Sequence, residues 1–221
     1  MNFLLIAQPQ TNMRLLADIL EGHPEISLPT LNEDERLNKL FTEKKLQGKM
    51  SISYLLHSSF NSYLSKTASH KCTGYLTDYN SALSNNLPHI FKHMDKSVKA
   101  ILLKRKNTLQ QYVNLLMNEE HKPVHCDEKE FFAFYKKLEL SDIDTKIELD
   151  RLCIPYAEIY YEHLCHDVCK ELKTIKDFLG VKQEFKNAKC FTSNETSLKQ
   201  NINNFTSFYE TFKDTRFNIF L

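Results

Sequence analysis

The chain has 221 residues, 42% of them hydrophobic, and 29 Lys and Arg against 28 Asp and Glu give a formal charge of +1. That length and apolar content suffice for a real core, and one domain is expected over residues 1–221. The near-neutral balance offers no global field for nucleic acid or an anionic membrane, and no run of about 18 apolar residues marks a membrane span.

In chain order, Phe3–Ala7 reads as a first strand. Its apolar run is too short and too weakly flanked for a signal peptide, so a cytoplasmic protein is expected. Thr11–Gly22 follows as a helix, stopped by Gly22 and His23-Pro24. Glu33–Gly48 and Ser51–Ser65 have helical patterns, the first highly charged and therefore expected as a solvated face. His70–Thr77 reads as a short strand, Ser81–Met94 as a helix and Val98–Leu103 as the next strand. Lys104, Arg105 and Lys106 end that strand; Asn107 is an N-cap, and Leu109, Tyr112, Val113 and Leu116 recur at helical spacing. Lys129–Asp150 reads as a helix pair broken at Ser141-Asp142, with Phe131, Phe134 and Tyr135 as a core stripe. Tyr156–Tyr161 is a strand and Cys165–Leu179 a helix capped by Gly180. Strands alternating with helices predict a three-layer α/β fold, a central parallel sheet flanked by helices. The strands ending near Ala7 and Leu103 are expected side by side, their C-terminal ends facing one crevice.

A buried strand that delivers cations to a helix start is a candidate anion site. Unpaired N–H groups and the helix dipole favour negative charge there, and the side chains add full charges. The plainer reading of Lys104–Asn107 is a basic solvated turn. Six cysteines are present, but Cys165 and Cys169 lack a second ligand pair at zinc spacing, so reduced thiols and no metal are expected.

Five segments in order carry a family resemblance: Gln8–Ile26, the Arg105–Asn114 turn and helix, Ile159–Leu164, Phe178–Val181 and Ser197–Phe217. Together they resemble sulfotransferases that use 3'-phosphoadenylyl sulfate, with compact bacterial carbohydrate sulfotransferases the nearest in pattern. The resemblance implies a P-loop-nucleotide-hydrolase-like sulfotransferase fold over nearly the whole chain. It also implies a first loop, P-R-[ST]-G-[ST]-T-L-L in the family, that wraps the 5'-phosphosulfate. Here Gln10 stands for the Arg, Asn12 for the Gly, and Met13 and Arg14 for the hydroxyl pair, while Pro9, Thr11, Leu15 and Leu16 are ordinary. Asn tolerates positive φ better than most residues, so Asn12 can keep the turn. Thr11, Asn12 and Arg14 are the implied 5'-side contacts; Arg14 pointing to solvent is the competing reading. Arg105 and Lys106 are the implied cations for the 3'-phosphate, with Asn114 where the family has Ser.

A general base is implied shortly after the His-Pro segment. Glu33 is the candidate, with Glu25 nearby and a solvated acidic helix start as the alternative for Glu33. His23 is read as closing its helix. Where relatives carry Gly-Phe-Lys, this chain has Gly74, Tyr75 and Leu76, with no local cation. Tyr161 and Glu162 are read as structural, a Tyr packed under the sheet and a carboxylate anchoring a loop. The implied activity is sulfuryl transfer to a hydroxyl of a carbohydrate or lipid-linked acceptor, without a metal. The alternative is a catalytically degenerate relative that binds a nucleotide or anion. A phosphate-loop kinase is disfavoured because no G-x-x-x-x-G-K-[ST] pattern occurs.

Overall fold

The computed structural model describes residues 1–28, 70–84, 86–117, 123–185, 198–215 and 217. These form a five-stranded sheet in the order β2-β3-β1-β4-β5, with every pairing parallel. The strands are β1 (Asn2–Ala7), β2 (Ile26–Ser27), β3 (Cys72–Asp78), β4 (Lys99–Lys104) and β5 (Tyr156–Tyr160). As expected from the alternating pattern, helices cover both faces.

The inner strands β1 and β4 are apolar at nearly every position because each face of each strand is covered. Phe3, Leu5, Ala7, Ile101 and Leu103 point to one face. There they meet α1 (Met13–Glu21), α6 (Tyr161–His166) and α7 (Val168–Leu179) through Leu16, Leu20, Leu164, Leu172 and Ile175. Leu4, Ile6, Ala100 and Leu102 point to the other face, against α2 (Tyr79–Ser84), α3 (Leu87–Met94) and the end of α5 (Glu128–Arg151). Each such Leu or Ile contributes about 1.5–3 kcal/mol by leaving water. Gly74 is dictated by this packing: a Cβ there would lie 2.3 Å from Phe3 Cζ and 2.4 Å from Leu28 Cδ2. A third cluster joins α4 (Thr108–Leu116) and the start of α5 to α8 (Leu198–Asn201) and α9 (Phe205–Phe212). Phe131 is fully buried in it, with ring centroids 5.0 Å from Phe217 and 5.4 Å from Phe212, so the Phe131 stripe is core.

Several elements depart from their patterns. Ser81–Met94 is two helices, because Asn86 turns left-handed (φ 53°) and Pro88, in the first turn of α3, cannot continue a preceding helix. Lys129–Asp150 is one unbroken helix. Ser141 donates to Leu138 O at 3.0 Å, and Asp142 is held by Lys104 at 2.9 Å and Lys146 at 3.1 Å. Tertiary partners thus overcome the local preference of Ser and Asp for a break. Strand β5 also stops one residue early, since Tyr161 opens α6, and the helix read over Cys165–Leu179 starts only at Val168, because Asp167 ends α6 and caps α7 by accepting from Lys170 N–H at 3.0 Å. The Glu33–Gly48 and Ser51–Ser65 helices lie outside the described residues. Among the described residues no helix is long and apolar enough to cross a membrane.

Candidate functional site

Parallel strands place their C-terminal ends on one edge, and the central pair here is β1 and β4, with Ala7 opposite Leu103. The loop after β1 and the turn after β4 therefore begin side by side. Gln8 N–H donates to Leu103 O at 3.0 Å, and Arg105 N–H donates back to Gln8 Oε1 at 3.1 Å. Thr11, buried at the loop's base, donates through Oγ1 to Gln8 O at 2.7 Å.

The loop closes through two left-handed residues, Gln10 at φ 56° and Asn12 at φ 57°. Asn12 thus takes the glycine-like conformation expected of it, and from there α1 starts. Its carbonyl accepts from Leu15 N–H at 3.0 Å, while no side-chain cap closes the helix start. Asn12 and Arg14 are both exposed at this N-terminus. The positive φ at Gln10 carried no signal in the sequence, since Gln rarely adopts it.

Arg105 is buried at 5% exposure and faces inward. Its Nη1 donates to Gln10 O at 2.9 Å, and the guanidinium carbon lies 4.7 Å from the centroid of the Tyr161 ring. With its amide oxygen turned toward Arg105, Asn114 accepts from the same Nη1 at 3.2 Å. The structure therefore brings Arg105, Asn114 and the first loop together, with the arginine as the pin between them.

The turn's amides are engaged as well. The Glu162 carboxylate accepts from Lys106 N–H and Asn107 N–H, each at 2.9 Å, and sits 4.0 Å from Arg105 Nε. Glu162 thus supplies a built-in anion to the strand-to-helix turn, while Asn107 caps α4 by accepting from Gln110 N–H at 2.9 Å. Tyr161 and Glu162 have the structural roles read for them. Lys106 remains exposed, with Nζ 2.7 Å from His163 Nε2 and 5.2 Å from the Tyr160 ring centroid. Two buried polar atoms beside this junction, Thr108 Oγ1 and Gln111 Oε1, have no hydrogen-bond partner among the described residues.

Next to the crevice, Lys104 and Lys146 bridge Asp142 and Glu158 at 2.6–3.1 Å. Tyr79 donates to Asp142 and Tyr160 to Glu158, each at 3.2 Å. Burial alone would raise the Glu158 carboxyl, but hydrogen bonds from Lys146 and Lys104 outweigh it and hold it below its usual range. The same network raises Lys146 against its burial. Sequence reading missed this cluster because its members come from three distant segments.

Glu25 lies at the opposite edge, just before β2. There the backbone N–H groups of Gln183 and Lys182 hold its carboxyl low, so it faces away from the crevice. His23 is buried: Nε2 donates to Gln183 O at 2.8 Å, and Nδ1 accepts from Glu25 N–H at 3.2 Å. Its ring therefore ties the turn before β2 to Gln183, while α1 itself is capped by Gly22 rather than by the His23 side chain expected there. Glu33 lies outside the described residues. Among the described residues no three His, Cys, Asp or Glu side chains converge as metal ligands.

No family model matches the chain. No curated protein matches it either. Solved structures do. The sulfotransferase from Alicyclobacillus acidocaldarius superposes with a TM-score of 0.55 at 15% identity, covering 95% of this chain and 91% of that one. The sulfotransferase domain of the Synechococcus PCC 7002 olefin synthase superposes with a TM-score of 0.53 at 20% identity, covering 94% of this chain and 82% of that one. The chain thus has the fold of these sulfotransferases.

Proposed function

We propose that this chain, as one domain over residues 1–221, moves a sulfuryl group from 3'-phosphoadenylyl sulfate to a hydroxyl of a carbohydrate or lipid-linked acceptor in the cytoplasm. One observation carries the reading: the Gln8–Asn12 loop is pinned by Arg105 onto the β4–α4 turn, at the crevice shared by β1 and β4. That arrangement leaves Asn12 and Arg14 exposed at the start of α1, where the Asn12 side chain makes no capping bond, and Lys106 exposed on the turn after β4. These groups fit an anionic nucleotide at two points, Asn12 and Arg14 on the 5' side, with the buried Thr11 hydroxyl holding the loop beneath them, and Lys106 on the 3' side. Arg105 and Asn114 act beneath them by setting the loop's position.

In the transfer, the acceptor oxygen attacks sulfur as the bond from sulfur to the bridging phosphate oxygen breaks. The proton leaves to a carboxylate, for which Glu33 is the candidate. Arg14 and the α1 amides stabilise the charge that develops on the leaving phosphate, and no metal is required.

A second reading, a catalytically degenerate nucleotide or anion binder, is favoured by one specific feature. The turn's amides and the Arg105 guanidinium are already engaged by Glu162, Gln10 and Tyr161. Transfer of labelled sulfate to a mixed glycan and lipid extract, run beside melting curves with adenosine 3',5'-bisphosphate and AMP, separates the two. The enzyme reading expects transfer that Arg14→Ala lowers by at least about tenfold, the loss of one charge-assisted contact. It also expects a larger melting shift with the bisphosphate than with AMP, reduced in Lys106→Ala. A bisphosphate shift without transfer supports the binder. Equal shifts with both nucleotides remove the 3'-phosphate assignment.

A further inference from the structure

Helix α5 is apolar on two opposite faces. Phe131, Leu138, Thr145 and Leu149 are buried against the rest of the molecule. Ile147 follows Leu138 by nine positions, two and a half turns later, and so points directly away from that core. With Leu140 and Ile143 it forms an outward stripe at 60%, 50% and 59% exposure for Leu140, Ile143 and Ile147. From Leu140 to Ile147 the stripe runs about 10 Å along the helix. Spacings of three and four residues between large apolar side chains form a helix-pairing seam, whereas a solvated face carries charges at such positions.

The flanking charges favour one occupant. Lys136 and Lys137 lie toward the N-terminal end of the stripe, and Asp144 and Asp150 toward the C-terminal end, all exposed. Lys136 and Asp150 are each seven positions from Ile143. If two copies pack antiparallel about a two-fold axis at Ile143, Lys136 of each meets Asp150 of the other. Leu140 of each then comes beside Ile147 of the other. A parallel pairing would set Lys136 against Lys136. A bilayer surface fits less well, since membrane-bound helices flank their apolar face with cations and this flank is mixed. With a net charge of +1, two copies also approach without general repulsion.

We propose that the protein forms a two-fold symmetric dimer through the Leu140–Ile143–Ile147 face of α5, with helices antiparallel and Lys136 paired to Asp150 of the second copy. This goes beyond the proposed activity and does not depend on it.

Sedimentation equilibrium over a range of concentrations tests it. The wild type should be dimeric, and Ile143→Glu should weaken dimerisation by about a hundredfold or more, because a symmetric contact loses the residue twice. The Ile143→Glu monomer should melt at the temperature of wild type diluted until it is monomeric, since only the stabilisation by association is lost. Lys136→Asp should weaken the dimer, and adding Asp150→Lys should restore it, an outcome peculiar to the antiparallel arrangement. A wild-type monomer at all concentrations overturns the proposal. If that monomer binds phosphatidylserine vesicles and Ile143→Glu does not, the face serves a membrane. If Ile143→Glu instead melts below the diluted, monomeric wild type, the stripe is covered by the chain itself and the proposal falls. A dimer that persists in Ile143→Glu, or is not restored by the charge swap, also overturns it.

Discussion

Gln10 shows how a single backbone angle is held by a neighbour's side chain. A non-glycine residue in the left-handed region costs roughly 1 kcal/mol, and Gln has no short side chain to offset it locally. The conformation persists because the Gln10 carbonyl faces the buried Arg105, which also stacks on Tyr161. Gln10→Gly should therefore keep the Arg105 contact, which uses only backbone, and raise stability by about 0.5–1 kcal/mol. Urea unfolding monitored by circular dichroism reads this directly, and a loss of stability would mean that the Gln10 side chain contributes more than its angle costs. Arg105 explains why Arg14 and Lys106 are the better probes of binding. Removing a buried charged donor with several partners disturbs the loop itself, so a loss of affinity in Arg105→Ala would not isolate a ligand contact.

Helix α5 spans two environments, and its middle is fastened by charge rather than by apolar packing. Lys104 on β4, Glu158 on β5 and Asp142 with Lys146 on α5 form a closed set of two cations and two anions. Because the folded state lowers the Glu158 carboxyl, its contribution to stability is present above the unfolded value near 4.5 and is lost as pH falls through the lower folded value. Glu158→Gln should cost about 1–2 kcal/mol at pH 7, since both lysines then share Asp142 alone. It should also flatten the stability profile below pH about 4.5, the range in which the wild-type carboxylate is titrated. Denaturant midpoints measured from pH 3 to 7 test both effects; an identical acid limb in wild type and variant would remove Glu158 from the network's energetics. The same tethering accounts for the unbroken helix at Ser141-Asp142, which local propensity alone reads as a stop.

At the scale of the whole molecule, stability is graded outward from the central strands. β1 and β4 are covered on both faces and paired on both edges, whereas β2 has two residues and, among the described residues, a single neighbour. Amide exchange in Leu4–Ile6 and Ile101–Leu103 should therefore require opening close to global unfolding, while Ile26 and Ser27 exchange through local fraying. Hydrogen-exchange mass spectrometry or NMR would show protection differing by orders of magnitude, and equal protection across the sheet would contradict that gradient. The inner strands also hold the crevice: Ala7 and Leu103 are paired, so the two loops that follow them cannot separate without breaking the sheet centre.

Much of this architecture is legible in the residues themselves. Continuous apolar runs at Phe3–Ala7 and Ala100–Leu103 specify strands buried on both faces, and Asn107 and Gly180 specify helix ends through their own side chain or backbone freedom. Asn12 announces a left-handed turn for the same reason. These are local matters, settled by propensity and periodicity within a few residues. Other features depend on residues far apart in the chain. The inward turn of Arg105, the Glu162 carboxylate seated on the amides of Lys106 and Asn107, and the Lys104–Asp142–Lys146–Glu158 set each join segments separated by tens of positions. A charged side chain reads in sequence as solvated or ligand-binding, because nothing local reveals a distant partner. Only the folded sheet, by bringing β1, β4, β5 and α5 together, decided that Arg105 would serve the protein's own loop while Arg14 and Lys106 stay exposed.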